Sequence, residues 1–93
     1  MIVTGVAYYT KEAYAQLLQD AGDRIKLCDT YEEWLQVYER SIKNMRKEGI
    51  ETHPYVMDMM ELKAWCKAHR LPNTGKSRAR FVSEKMSAWQ KPD

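Results

Sequence analysis

The sequence Thr30-Tyr31-Glu32-Glu33 is a capping box, and it is the most specific local signal in the chain. The Thr30 hydroxyl can accept a hydrogen bond from the backbone N–H of Glu33, while the Glu33 carboxylate reaches back to Thr30. Apolar residues at helical spacing follow and end before Gly49, namely Tyr31, Trp34, Leu35, Tyr38, Ile42 and Met45. Together these signals predict a long amphipathic helix with Trp34 as its buried anchor.

Three further helices are predicted from caps and apolar periodicity. Thr10 can cap a helix that continues to Gly22, which we expect to end it as a C′ glycine. The segment Asp58–Glu61 is a looser capping box and opens another helix, which the turn Leu71–Gly75 breaks. A last helix is predicted from about Lys76 to Trp89.

Two segments have the composition of extended chain. Ile2–Tyr9 is rich in β-branched and aromatic residues and predicts a short strand or an extended arm. Ile50–Asp58 contains Pro54, which has no backbone N–H, so a strand there lies at a sheet edge or begins after the proline. The sequence leaves open whether the two segments pair within one chain or with a partner subunit.

A chain of 93 residues with 44% hydrophobic side chains is typical of one globular domain with a small core. We therefore expect a single small helical domain over residues 1–93. Its predicted class is mainly α with a minor β part, with about four amphipathic helices and one or two short strands. No apolar run approaches the roughly 18 residues of a membrane span, so we expect no membrane partner.

The cysteine content indicates the cellular compartment in which the protein folds. Cys28 and Cys66 are the only cysteines, which is too few for a disulfide-stabilised secreted scaffold. The segment Met1–Thr10 lacks the charged region of a signal peptide and is too short for one. These observations predict a cytoplasmic protein with reduced thiols.

Four stretches of the sequence resemble a group of small bacterial proteins of unassigned role: Thr30–Leu35, Gly49-Ile50, Glu61–Cys66 and Arg78–Phe81. The resemblance covers about residues 8–88. It implies a bacterial source and a cytoplasmic setting, and it assigns no activity to any of these residues.

The segment Gly75-Lys76-Ser77 resembles the end of a phosphate-binding loop. The full motif has a glycine five residues before Gly75, where this chain has Arg70, and it follows a strand where this chain has a predicted helix. The segment is therefore interpreted as the start of a helix after a Pro-Asn turn.

Cys66 and His69 lie three residues apart on one predicted helix face, so both could reach one metal ion. A zinc site needs two further ligands, and the remaining candidates, Cys28 and His53, lack pair spacing. We expect neither a metal site nor a bound cofactor.

Whether the protein is an enzyme stays uncertain, leaning towards no. The sequence offers no group that could orient a Cys–His thiolate pair, and it contains no Gly-x-Ser-x-Gly motif.

The charges are unevenly distributed along the chain. Residues 1–61 hold 7 basic and 11 acidic residues, whereas residues 62–93 hold 8 basic and 2 acidic residues. The basic part covers two predicted helices joined by a tight turn, as in a helix-turn-helix. A nucleic-acid-binding module that uses this basic C-terminal helix pair is therefore the alternative function. It is the less favoured one, because the basic residues are scattered around the last helix and do not form one stripe.

The preferred hypothesis is a small cytoplasmic protein-interaction domain that acts through self-association as a homodimer. With 3 Trp, 6 Tyr and 6 Met, the chain has more bulky side chains than a core of this size easily hides. Phe81 lies roughly 100° from the apolar face of the last helix, which predicts an interface position beside two arginines. The candidate contacts for a protein or nucleic-acid partner are Lys76, Arg78, Arg80, Phe81 and Lys85.

Overall fold

The computed structural model describes the backbone of residues 2–90 and the side chains of residues 2–87. Strand β1 (Ile2–Tyr8) is followed by helix α1 (Lys11–Asp20), a short 3₁₀ turn (Arg24–Lys26) and helix α2 (Tyr31–Lys47). Strand β2 (Ile50–Val56) then leads into helices α3 (Met59–His69) and α4 (Gly75–Gln90). The predicted class, four helices with a minor β part, is confirmed for the described residues. Among them, no helix has the length and apolar character that crossing a membrane requires.

The predicted helix starts are confirmed by side-chain caps. The Thr30 hydroxyl accepts from the backbone N–H of Glu33 at 3.1 Å and also donates to the Glu33 carboxylate at 3.0 Å. Asp58 accepts from two backbone N–H groups in the first turn of α3, including that of Glu61 at 3.1 Å. Thr10 caps α1 in the same way. These local signals place three helices correctly because each cap satisfies N–H groups that have no partner inside the helix.

The two predicted glycine helix ends have different outcomes. Gly49 has a left-handed φ of 80° and follows α2 as expected. The prediction for Gly22 is wrong, because α1 already ends at Asp20 and Ala21 continues in an extended conformation. Gly22 instead donates its N–H to the carbonyl oxygen of Asn73 at 2.8 Å. A tertiary contact with the α3–α4 turn, and not a helix cap, therefore determines the backbone at this glycine.

The strands β1 and β2 pair with each other in parallel, with Ile2 opposite Ile50 and Tyr8 opposite Val56. The pairing is within one chain, which resolves the alternative that the sequence leaves open. Parallel neighbours need a long crossover connection, and α1 and α2 form it. Pro54 lies inside β2 and is tolerated there because both strands of a two-stranded sheet are edge strands.

The helices α2 and α4 cover opposite faces of this sheet. Successive side chains of a strand point to opposite faces. Tyr8 accordingly faces α2, where its ring centre lies 5.7 Å from that of Trp34. Gly5 faces α4, where the Met86 side chain packs directly against the strand backbone. Helix α4 packs mainly against β1, whereas α2 packs mainly against β2.

The buried core is formed by α1, α3, α4 and the residues that follow the two strands. Its buried side chains are Tyr9, Tyr14, Leu17, Met57, Leu62, Cys66, Phe81, Val82 and Met86. Helix α2 contributes none of them. The predicted position of Trp89 on the apolar face of α4 lies outside the described side chains.

The expectation that Trp34 is a buried anchor is wrong, because its side chain is only half-buried. Its ring centre nevertheless lies 5.2–5.7 Å from five tyrosine rings, those of Tyr8, Tyr9, Tyr14, Tyr31 and Tyr38. Two strands about 4.8 Å apart make a sheet that is no wider than a helix of about 10 Å diameter. The sheet therefore covers the apolar stripe of α2 incompletely.

Candidate interaction surfaces

The five residues predicted as contacts do not form one surface. Lys76 and Arg80 are exposed on α4, and Lys85 is half-exposed. Arg78 and Phe81, in contrast, are 7% and 0% exposed. Two of the five side chains therefore lie inside the folded chain; of the other three, Lys76 and Arg80 share one side of α4 and Lys85 lies on the opposite side.

Phe81 belongs to the monomer core and not to the exposed interface that its position off the apolar face of the helix predicts. Its ring packs edge-on against Tyr55 of β2 and Trp65 of α3, with ring centres 6.1 and 5.7 Å away. The helical periodicity of α4 places Phe81 away from the face that meets β1. Helix α3 and strand β2 bury that second side of α4.

Arg78 is held in a network of hydrogen bonds. Its Nη1 and Nη2 atoms donate to the Asp23 carboxylate at 3.0 and 2.8 Å, and Nη1 also donates to the Asn73 side-chain oxygen at 2.9 Å. The side chains of Arg78 and Asp23 are 8% and 13% exposed. The bond from Arg78 lowers the pKa of Asp23, against the opposing effect of burial. The charge of Arg78 is therefore neutralised within the chain.

Of the three other cations predicted as contacts, two are also paired. Arg80 Nε donates to Glu84 at 3.1 Å, and Lys85 forms an ion pair with Glu61 that raises the pKa of the lysine. Among the described residues, Lys76 is the one predicted cation that has no ion-pair partner. Three of the four predicted cations are therefore engaged within the chain, and the fourth alone does not form the cationic stripe that would follow a phosphate backbone.

One side of α2 combines half-exposed apolar residues with unpaired charges. Leu35, Tyr38 and Ile42 are half-exposed, and none of the three belongs to the core cluster. Glu39 and Arg46 are exposed beside them, and neither has an ion-pair partner among the described residues. We call these five residues the α2 flank. A shallow cavity of about 230 Å³ lies on it.

A larger groove lies between α4 and the outer edge of β1. Its volume is about 570 Å³, and the five consecutive residues Val3–Ala7 form one side of it. The small side chains of Ala79, Ser83 and Ser87 form much of the opposite side. Arg78, already paired with Asp23, is the one charged side chain among the described residues that line it. We call this cavity the β1 groove.

The Cys66–His69 pair is not arranged around a common ligand position. Cys66 is buried, and burial raises the pKa of its thiol. His69 instead stacks on Trp65, with ring centres 4.2 Å apart, and its Nδ1 lies 2.9 Å from the Trp65 carbonyl oxygen. Within the described part of the chain, no three His, Cys, Asp or Glu side chains lie close enough together to hold a metal ion.

The Gly75–Ser77 segment forms the first turn of α4, as the sequence interpretation expects. The N–H of Gly75 donates to the Asp23 carboxylate at 2.9 Å. A carboxylate of the same chain therefore occupies the backbone donor that a phosphate-binding loop would offer to its ligand.

Sequence reasoning missed both the α2 flank and the β1 groove, although each leaves a signal in the sequence. Ile2–Tyr8 contains neither a charged residue nor a proline, whereas β2 contains Glu51 and Pro54. On α2, Glu39 and Arg46 lie seven residues apart on either side of Ile42. Neither pattern is informative until the structure shows which strand edge and which helix side remain uncovered.

Comparison with known proteins gives a family but no activity. A search of curated proteins and a search of solved structures each found no match to this chain. A family of proteins matches residues 2–91, which is nearly the whole chain, and its description assigns no function. The expectation of a family without an assigned role is thus confirmed, while a bacterial source stays a prediction. The chain belongs to the family described as a domain of unknown function, DUF8829.

Proposed function

We propose that this protein is a small cytoplasmic interaction domain that acts through self-association, as a homodimer joined through the α2 flank. The observation that carries the proposal is that α2, a helix of 17 residues, buries none of its residues. Helices α1 and α3, with 10 and 11 residues, each bury two. Because packing of the apolar face supplies most of a helix's stability, the incompletely covered stripe of α2 favours a second partner.

The charges of the α2 flank favour a second copy of the chain as that partner. Glu39 and Arg46 lie about 10 Å apart along the helix axis, too far for an ion pair within α2. A twofold axis near Ile42 would place two α2 helices antiparallel. Each Glu39 would then face Arg46 of the other copy, and the contact would form twice. The flank is self-complementary in the way that a twofold interface requires.

The apolar residues of the flank occupy the position expected for the centre of such an interface. Ile42 lies between the two charges, with Leu35 and Tyr38 one to two turns away. Stable interfaces commonly have an apolar centre and a polar rim. The two free thiols, Cys28 and Cys66, support the cytoplasmic part of the proposal, since they form no disulfide.

Sedimentation equilibrium over a range of protein concentrations tests the proposal. In the variant Arg46→Glu, each Glu39 would face a glutamate of the other copy, and this would occur twice in the dimer. Each exposed ion pair contributes at most about 1 kcal/mol, so we expect the dimer dissociation constant to rise about tenfold. The double variant Glu39→Arg/Arg46→Glu reverses both charges and should restore dimerisation. These side chains are exposed, so neither change should impair folding.

The matched control is Arg40→Glu, which changes the same net charge at an exposed position on the outer side of the same helix. It should leave the dissociation constant nearly unchanged. A wild-type protein that stays monomeric at high micromolar concentration would refute the proposal. Equal effects of Arg40→Glu and Arg46→Glu would place the interface elsewhere and refute the assignment to the α2 flank.

A further inference from the structure

The outer edge of β1 is open along the whole strand within the described chain. Strand β1 pairs with β2 on one side, and the sheet contains no third strand there. In a parallel pair, alternate residues direct their N–H and C=O groups away from the neighbouring strand. The edge of β1 therefore presents unpaired backbone donors and acceptors to the β1 groove.

This edge has none of the features that usually prevent pairing with another chain. Natural edge strands carry charges, prolines or bulges, or are very short. Strand β1 is 7 residues long, continuous, and free of charge and proline. The other edge of the sheet belongs to β2, which contains Pro54 and carries Glu51. The contrast between the two edges indicates that the β1 edge is the one suited to an additional strand.

The dimensions of the β1 groove fit an extended segment. The lining residues Val3–Ala7 span about 16 Å of strand, and the cavity beside them measures about 570 Å³. Ser83 and Ser87 are exposed on the α4 side, and Ala79 lies one turn before Ser83. Small side chains on a helix wall leave room for the side chains of an added strand.

A second copy of β1 does not fit this position. Helix α4 packs mainly against β1, with Met86 touching the backbone at Gly5. Antiparallel pairing of two β1 strands about a twofold axis would keep both α4 helices on the same face of the joined sheet. The joined strands would be only about 4.8 Å apart, so the two α4 helices over them would crowd each other, because packed helices need axes about 8–10 Å apart. The occupant must therefore be a strand that carries no helix over it.

The charge around the β1 groove defines the chemistry of the occupant. None of the described residues that line the groove is acidic. Lys76 is exposed next to Gly75, which lines one end of it, and has no ion-pair partner among the described residues. The Asp23 carboxylate already occupies the N-terminus of α4 at this end and neutralises Arg78, so Lys76 supplies the uncompensated charge that favours an acidic residue.

We infer that the β1 groove binds an extended segment of another protein, about five residues long, which adds to β1 as a third strand. The segment carries small apolar side chains towards α4 and an acidic residue at the end beside Lys76. Main-chain hydrogen bonds supply the affinity of such strand addition, and the alternate side chains supply its specificity. The inference concerns a different surface from the α2 flank and does not depend on the proposed dimer.

The experiment uses a phage-displayed library of random peptides of about nine residues, selected on the full-length protein and then synthesised for titration. We expect the selected peptides to alternate small apolar residues with others and to carry Asp or Glu at one end. In hydrogen exchange followed by NMR, amides within Val3–Ala7 should exchange at least tenfold more slowly in the complex, since a third strand protects them.

Two matched variants decide whether the β1 groove is the binding site. Ser83→Trp fills the groove from an exposed position and should weaken binding at least tenfold. Ala68→Trp adds the same side chain at an exposed position of α3, outside the groove, and should leave binding unchanged. Lys76→Glu should weaken the acidic peptides several-fold, and Arg46→Glu, which acts on the α2 flank, should have no effect.

Several results would overturn the inference. These are the absence of enriched peptides, equal binding to the Ser83→Trp and wild-type proteins, and enrichment of basic peptides. If Ser83→Trp abolishes self-association in sedimentation, the groove holds a second copy of the chain and the inference is also wrong. Loss of dimerisation in Arg46→Glu with intact peptide binding would separate the two surfaces.

Discussion

Arg78 on α4 and Asp23 before the 3₁₀ turn lie 55 positions apart in the sequence and form a doubly hydrogen-bonded ion pair, with N–O distances of 3.0 and 2.8 Å. The same carboxylate accepts from the N–H of Gly75, so Asp23 also fixes the first turn of α4. This pair ties the crossover connection to the helix that forms one wall of the β1 groove. It connects two parts of the chain that no local sequence signal links.

We expect Arg78→Ala to lower the free energy of unfolding by about 3–5 kcal/mol, because it leaves the Asp23 carboxylate largely buried without its partner. Urea denaturation of purified protein measures the change. The control is Arg80→Ala, which removes an exposed ion pair with Glu84 and should cost less than about 1 kcal/mol. Similar losses in the two variants would show that burial does not strengthen the Arg78–Asp23 interaction.

The stability that depends on Asp23 should be lost in acid. The hydrogen bond from Arg78 lowers the pKa of Asp23 in the folded state, whereas the pKa of an aspartate in the unfolded chain is about 3.9. The contribution of the pair is therefore complete above the unfolded pKa and disappears as the pH falls through the lower folded pKa. We expect the difference in unfolding free energy between wild type and Asp23→Asn to be largest at neutral pH and to shrink below about pH 4. A difference that stays constant down to about pH 3 would contradict this reasoning.

The helices could be predicted from the sequence because their signals are local. Thr30 and Asp58 cap helices with hydrogen bonds to residues two or three positions away, so a short stretch of sequence contains the whole interaction. Gly22 shows the limit of this reasoning, since its conformation depends on a contact with Asn73, 51 positions away. The sequence leaves the pairing of the two strands open for the same reason, because the pairing depends on the path of the intervening helices.

The candidate surfaces could be predicted only in part, because surface exposure depends on which elements cover a helix. Phe81 lies off the apolar face that faces β1, and its burial requires Tyr55 and Trp65 from two other elements. Trp34 lies at the centre of the strongest apolar stripe and yet remains half-exposed, because the sheet beneath α2 has only two strands. Periodicity identifies an apolar side of a helix but does not identify the partner that covers it.

The tyrosine cluster around Trp34 should contribute substantially to stability even though the tryptophan is half-exposed. Trp34→Ala removes contacts with five tyrosine rings, and we expect a loss of about 2–4 kcal/mol in unfolding free energy. Trp34→Phe keeps an aromatic ring and should cost less than half as much. Urea denaturation at low protein concentration, where self-association is minimal, measures both. An unchanged midpoint in Trp34→Ala would mean that the cluster adds nothing to stability.

Tyr31 connects this aromatic cluster to the backbone by a hydrogen bond. Its hydroxyl donates to the carbonyl oxygen of Tyr9 at 2.7 Å, just after β1 ends. Tyr31→Phe removes that donor and keeps the ring, so we expect a loss of about 1 kcal/mol, the typical net contribution of one hydrogen bond. The matched control is Tyr38→Phe, since Tyr38 contributes ring contacts and no hydroxyl bond that the structure records within the described chain. Equal losses in the two variants would show that the bond to Tyr9 contributes no stability.

The close approach of α4 to β1 at Gly5 should make this glycine intolerant of a side chain. A Cβ atom at position 5 would overlap the Met86 side chain, which is buried beneath α4. We expect Gly5→Ala to lower the free energy of unfolding by about 1–3 kcal/mol, as overpacking of a core does. Gly75→Ala is the control, because its Cβ would lie 3.5 Å from the nearest Asp23 oxygen, an ordinary contact.

The overlap can be distinguished from a general effect of strand substitution by a double-mutant cycle. Met86→Ala alone should cost about 2–5 kcal/mol through the cavity it leaves. In that background the added methyl group at position 5 no longer overlaps the Met86 Cγ and meets only the remaining Cβ at 3.3 Å, so Gly5→Ala should cost little or even recover part of the loss. The two substitutions should therefore be strongly non-additive in urea denaturation. Additive losses would mean that α4 does not press on the β1 backbone at Gly5, and the packing of α4 over β1 that excludes a second copy from the β1 groove would then be wrong as well.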